Sequence, residues 1–327
     1  MLVGGGQSVP PQAVVGSGLS FMVGRISYTF GFTGPCISTD TACSSSLVAT
    51  HLAHHGLTSF QSNAAVAGGT NAMLLAGTTA AICQLQALSP VGRCKSFDSS
   101  ADGYGRGEGF AAVVLRRAQG MPQLTGAQAL AIVRGSAVNQ GGRSSGLTAP
   151  NGPAQTALVL VALASGGLDV SQLSLVSVHG TGTPLGDPIE VGALGQALAK
   201  RAGSASNLVL TSNKSCYGHT EGTAGLTGLL LAMSALHHTA APGVMHLRNV
   251  NQYVAAALGD WGASRRKAVQ IPRQAAPTLL GQEGLLSGSS SFGMSGVNAH
   301  MLVGKQPQAS TSARAEVSGI RVRLGSG

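Results

Sequence analysis

Asp40-Thr-Ala-Cys-Ser-Ser-Ser46 is the stretch on which the reading of this chain turns. Residues 37–41 are β-prone and run into Cys43, and residues 44–56 then carry Leu47, Val48 and Leu52 at helical spacing. The pattern predicts a strand, a sharp turn and a helix. A cysteine at such a turn lies where unpaired backbone N–H groups and the helix dipole favour negative charge, so Cys43 is expected to ionise below the usual thiol value of about 8.5. On this segment alone a buried structural cysteine reads as well as a nucleophile.

Working outward, residues 64–69, 111–116 and 129–138 read as strands, and residues 153–163 as a helix. Residues 175–178 form a strand ending at His179, and residues 209–212 form one ending just before Lys214. The helix predicted over 223–237 is apolar almost all round, which marks it as buried. Residues 289–303 are punctuated by glycine and end in strand-like Ala-His-Met-Leu-Val. Buried strands alternating with helices imply an α/β protein with sheets covered on both faces, and function carried by loops at strand ends. From Gln306 the composition has no apolar period and predicts a linker or disordered tail.

Composition narrows the classes. Hydrophobic residues reach 43%, yet no apolar run approaches the roughly 20 residues a membrane helix needs, so no span is expected. Five cysteines without a CxxC pair argue against a disulfide framework or a zinc site, and a reducing compartment fits. The net charge of +9 is spread thinly, since only 9% of residues are charged. Its densest cluster, Arg265-Arg266-Lys267, lacks interleaved aromatics, so nucleic acid is not the expected partner, whereas an acidic protein could use the same field.

Two further polar sites join Cys43. His179-Gly-Thr-Gly-Thr-Pro-Leu-Gly-Asp-Pro-Ile-Glu190 offers an imidazole and two hydroxyls, Thr181 and Thr183, and Lys214-Ser-Cys-Tyr-Gly-His219 adds an ammonium and a second imidazole. Either histidine alone reads equally as packing. Three strand-end sites beside glycines, separated by 136 and then 40 residues, suit convergence in one fold.

These blocks, with GRCKSFDSSADGYGRGEG, VNQGGRSSGLTAPNG and SSFGMSGVNAH, occur in the order of the β-ketoacyl synthases. Over roughly residues 10 to 304 the chain resembles the ketosynthase domains of type I polyketide synthases most, and animal-type fatty acid synthases next. The resemblance implies a thiolase-like αβαβα layered sandwich of two similar halves, here residues 1–120 with Cys43 and 121–304 with both histidines, followed by a tail from 305 to 327. It implies a cytoplasmic homodimer acting with an acyl carrier protein and other synthase domains or subunits. A plastid or other organelle stays open. No bound cofactor is implied beyond the carrier's phosphopantetheine arm, and no metal.

By the same resemblance, Cys43 takes an acyl chain as a thioester, and His179 and His219 steady the enolate formed when a malonyl carrier loses carbon dioxide. Lys214 fixes His219, the backbone N–H groups of Cys43 and Met294 form the oxyanion hole, and Thr181 and Thr183 bind the phosphopantetheine arm. Phe292 and Met294 line the acyl pocket. Met294 stands where the family usually has a gating Phe, and Cys216 and Tyr217 where Asn and Ile are common. Flexible methionine predicts a less selective pocket entrance.

Only 42 residues precede Cys43, so the family's opening βαβ units are expected to be missing, leaving sheet edges unpaired and activity weak in this chain alone. That leaves a truncated, non-catalytic dimerisation or carrier-binding module as the alternative function. A cysteine hydrolase fits less well, because no Asn or Asp in these blocks is placed to orient a base beside the thiol. A thiolase would use a second cysteine as base, and HGTGTPLGD with KSCYGH does not match that arrangement.

Overall fold

A computed structural model describes residues 12–117, 129–199, 208–262, 269–278, 284–305 and 318–321. The Arg265-to-Lys267 cluster, the junction near residue 120 and most of the segment after Gln306 lie outside them. Helices α1 (Gln12–Ser17), α2 (Leu19–Phe30) and α3 (Ser45–Thr58) precede strand β1 (Ala64–Asn71), then come α4 (Ala76–Gln84) and β2 (Gly109–Arg117). The chain continues through β3 (Ala131–Gln140), α5 (Gly152–Ser165), β4 (Leu173–Ser177), α6 (Gly186–Ala197), β5 (Leu208–Thr211) and the short α7 (Lys214–Tyr217). It closes with α8 (Ala224–His238), β6 (Ala240–Ala241), α9 (Gln252–Gly262), β7 (Val269–Gln270), β8 (Ala276–Pro277), β9 (Leu286–Phe292), β10 (Val297–Gly304) and β11 (Ser318–Arg321).

The main sheet is mixed, with order β1-β2-β11-β3-β10-β9-β4-β5-β7, and helices cover both of its faces. β10 shows why its strands read as continuous apolar runs. Met301 and Val303 point to the side holding Leu47 of α3 and Leu229 and Met233 of α8, while Leu302 points to the side holding Leu158 of α5, Leu194 of α6 and Val254 of α9. Alternate side chains leave opposite faces, and both faces here are dry. α8 is buried along most of its length, over β9 and against α3, as its all-round apolar sequence predicts.

Two expectations need correction. Residues 37–41 form no strand. Their polar groups are bonded locally instead: Ser45 Oγ accepts from the Thr41 N–H at 2.9 Å, and Asp40 Oδ1 accepts from the Ala42 N–H at 3.0 Å. Side chains thus supply the bonds a strand ladder would give. The segment after Gln306, expected to be linker or disorder, contributes β11, which pairs antiparallel with both β2 and β3 and joins the strands on either side of it into one sheet.

Among the described residues no helix is long and apolar enough to cross a membrane. α1 and α2 bury no residue, and Tyr28 is 90% and Phe30 68% exposed, so an apolar surface lies open beside the segment that leads to Cys43.

Candidate active site

Cys43 sits in a one-turn 3-10 helix, Ala42–Ser44, that runs directly into α3. Ala42, the residue before it, has φ 54°, a left-handed conformation that costs a side chain free energy and makes the turn sharp. The end of β9 holds this turn from the other side. Ser291 Oγ donates to the Cys43 carbonyl at 2.6 Å, and Gly293 packs so tightly that a Cβ there would lie 2.2 Å from the Thr41 carbonyl oxygen. The backbone N–H groups of Met294 and of Cys43 itself are directed at the sulfur.

His179 follows β4. Its backbone N–H donates to Glu190 Oε1 at 2.7 Å, and that of Gly180 to Glu190 Oε2 at 2.8 Å, so one buried carboxylate sets the loop. The ring Nδ1 accepts the Phe292 N–H at 3.3 Å. In the neutral ring this leaves the proton on Nε2, as a donor.

His219 follows α7. Its N–H donates to the Gly105 carbonyl at 2.7 Å and its carbonyl accepts from the Gly107 N–H at 2.8 Å, while both ring nitrogens are buried without a partner. The two imidazoles stand perpendicular, 5.4 Å between centroids, and the edge of Tyr104 meets His219 at 5.0 Å. Cys43 Sγ and the ligand nitrogens of His179 and His219 all lie within 4.8 Å of one another, so three segments far apart in the chain converge.

Such a sulfur and two imidazoles could in principle hold a zinc ion. The His179 tautomer opposes it, because a ring whose Nδ1 takes the Phe292 N–H keeps its proton on Nε2 and has no free lone pair for a metal.

The electrostatics revise the expected thiolate. Burial pushes the Cys43 thiol up to about 11, against the opposing pull of Lys214 and of the two backbone N–H groups, while Glu221 adds to the rise. Desolvation of the charged form outweighs the helix terminus here. Burial, helped by Lys214, also holds both histidines well below their ordinary value, so they are neutral at physiological pH. Lys214 is buried and pushed down by desolvation, with Glu190 the first group resisting that. Burial pushes Asp187 up to about 6 and Glu190 to about 7.

Phe292 lies 5.5 Å from the His179 ring, and Met294 is 40% exposed. Thr181 and Thr183 hydrogen-bond one another at 3.2 Å, and Thr183 Oγ1 accepts the Gly186 N–H. Sequence reasoning passed over Asp187 and Glu190. Asp187 accepts the Phe97 and Gly182 N–H groups at 2.7 and 3.1 Å and so ties the glycine loop to the 94–98 segment. The available signal was two acids within twelve residues of His179 in a chain holding only eleven.

A cysteine and two neutral imidazoles are thus gathered at strand and helix ends of a layered α/β fold. Residues 4–120 match the beta-ketoacyl synthase N-terminal domain and residues 130–248 its C-terminal domain, and the chain belongs to this family. Within it the chain is a ketosynthase domain of the type I polyketide synthase kind.

A phenolphthiocerol/phthiocerol polyketide synthase of Mycobacterium tuberculosis is 44% identical over 92% of this chain and 13% of its own length. Erythronolide synthase EryA2 of Saccharopolyspora erythraea is 39% identical over 97% of this chain and 9% of its own length. Among solved structures, the ketosynthase from module 6 of the bacillaene synthase of Bacillus subtilis 168 superposes with a TM-score of 0.81 at 31% identity, over 90% of this chain and 51% of that one. A Streptomyces albus oxazolomycin ketosynthase domain gives 0.80 at 32%, over 93% and 53%. The fold is therefore the thiolase-like one, and the chain spans about half of each of these solved domains.

Proposed function

We propose that this chain carries the reacting groups of a decarboxylative Claisen condensation that extends an acyl chain by two carbons, the acyltransferase chemistry of polyketide assembly. The observation that carries the reading is the convergence of Cys43 Sγ with the nitrogens of His179 and His219 inside 4.8 Å.

In the first half-reaction the sulfur attacks an acyl thioester on the phosphopantetheine arm of an acyl carrier protein. The thiol is protonated at rest, and a neutral imidazole beside it is able to take the proton, so the nucleophile forms as the bond to carbon forms. The oxyanion is met by the Cys43 and Met294 N–H groups, and the carrier thiol leaves with a proton. In the second, a malonyl thioester loses carbon dioxide. The enolate oxygen accepts hydrogen bonds from His179 Nε2–H and from His219, and its carbon attacks the Cys43 thioester and expels the sulfur as a thiolate, which takes a proton from solvent to restore the resting thiol. Neutral rings serve here, since each offers one N–H without adding a buried charge.

Lys214 sets the local field, and Thr181 and Thr183 hold the arm at the entrance. The partners are the carrier protein, neighbouring synthase domains and a second copy of the chain. The named relatives are bacterial, which supports a cytoplasmic setting and gives none to the organelle the sequence left open. The test is to supply an acyl thioester and a malonyl carrier and follow the β-ketoacyl product by mass spectrometry. Product that requires Cys43 and His179 supports the reading. Product undiminished in Cys43→Ala contradicts it.

A further inference from the structure

Arg106 and Glu221 stand beside this site but touch none of the reacting atoms. Arg106 Nε donates to Glu221 Oε1 at 2.5 Å and Nη2 to Oε2 at 2.8 Å, a bidentate pair, while Nη1 donates to Thr79 Oγ1 of α4 at 2.6 Å. The guanidinium side chain is 6% exposed and the carboxylate 18%, so the pair is largely removed from solvent. Such forks are the strongest and most directional of the side-chain ion pairs.

The pair closes a short two-stranded clamp. Backbone bonds from Gly105 and Gly107 to His219 run on either side of Arg106, which bridges to His219. Gly218 has φ 83° and no room for a side chain, because a Cβ there would lie 2.9 Å from the Arg106 carbonyl oxygen. Glu221 itself is held at φ 41°, a conformation that a residue with a side chain adopts only when its surroundings fix it. The Arg106 fork holds its side chain.

We propose that Arg106 is a positioning residue for this site: by gripping Glu221 it fixes the 218–221 turn that delivers His219, and it offsets the Glu221 carboxylate charge that bears on the Cys43 sulfur. Cys43 faces Lys214 from α7, His179 and His219 from their loops, Tyr104 from the 104–107 segment, and Glu221. Of these, Glu221 is the anion that disfavours the thiolate, and its cationic partner is Arg106. Without Arg106 the carboxylate would act on the sulfur uncompensated, and without Glu221 the guanidinium would favour the thiolate.

This rests on Cys43 being the nucleophile. The test is the pH dependence of Cys43 alkylation by iodoacetamide in the full chain, read by peptide mass spectrometry so that exposed Cys36, Cys83 and Cys216 are scored separately. Arg106→Leu is expected to slow alkylation at fixed pH by about tenfold, one unit in apparent thiol pKa. Glu221→Gln should speed it, the double variant should return within about twofold of the starting chain, and Arg106→Lys, keeping charge but not the fork, should fall between. If Arg106→Leu melts early, Glu221→Gln alone decides, since it keeps shape and removes only charge.

An unchanged profile in Glu221→Gln, or a folded double variant still as slow as Arg106→Leu, overturns the proposal. Failure of the underlying reading would show separately, as condensation persisting in Cys43→Ala.

Discussion

A thiol and an imidazole that are both uncharged can react in a dry site only if a proton moves as the sulfur forms its bond, and this governs how Cys43 should respond to pH. With burial pushing its pKa up to about 11, the rate of simple alkylation should climb about tenfold per pH unit from 7 to 10. A plateau near pH 7 would mean that the helix terminus and Lys214 dominate instead. At the pocket entrance, Met294 is a flexible side chain at a position whose backbone N–H faces the sulfur. Met294→Phe should change the preference among acyl chains, measured by competition between thioesters, and leave acylation of Cys43 in place. Unchanged preference would remove the side chain from the pocket.

At the scale of elements, the site depends on how the turn before α3 is pressed against the end of β9. Gly293→Ala would drive a Cβ into the Thr41 carbonyl, so the variant should lose about 1–3 kcal/mol in denaturant unfolding and most of its Cys43 reactivity together. Full reactivity in that variant would show that the turn does not need this contact.

Much of this arrangement was legible in the sequence. Strand-like runs such as residues 175–178 and Met301 to Val303, and the uniformly apolar α8, announced buried strands and helices, and the polar residues at their ends include two that converge with Cys43. Residues 37–41 misled because β propensity does not reveal whether a neighbouring strand exists to pair with. The charge on Cys43 was misjudged for a similar reason. A helix terminus is visible in sequence, whereas the depth at which the sulfur lies depends on β9 and on the loops around His179 and His219. The Arg106–Glu221 pair spans 115 residues, and no local pattern announces it.

Across the whole molecule, two properties follow from burial and exposure. His300 in β10 is fully buried and bonded to Ser290 Oγ at 2.9 Å, and burial holds its pKa near 4 against an ordinary 6.5. The unfolded chain therefore binds the proton more readily, so this group's contribution is complete above pH 6.5 and is lost as pH falls through about 4, on the order of 3 kcal/mol. Denaturant midpoints measured from pH 7 to pH 4 should fall more steeply in the parent chain than in His300→Gln, and equal slopes would contradict the assignment.

The open apolar surface of α2 predicts association. Sedimentation velocity should show a concentration-dependent dimer or larger species that Tyr28→Glu with Phe30→Glu weakens. A strictly monomeric chain would leave that surface without this role.

Which atom carries the acyl group decides whether Cys43 is the nucleophile, and intact-protein mass spectrometry after incubation with a short acyl thioester reads that directly. A single acyl adduct that maps to Cys43 and disappears in Cys43→Ala is the predicted result. An adduct on another cysteine with Cys43 untouched, or one that survives Cys43→Ala, would contradict it.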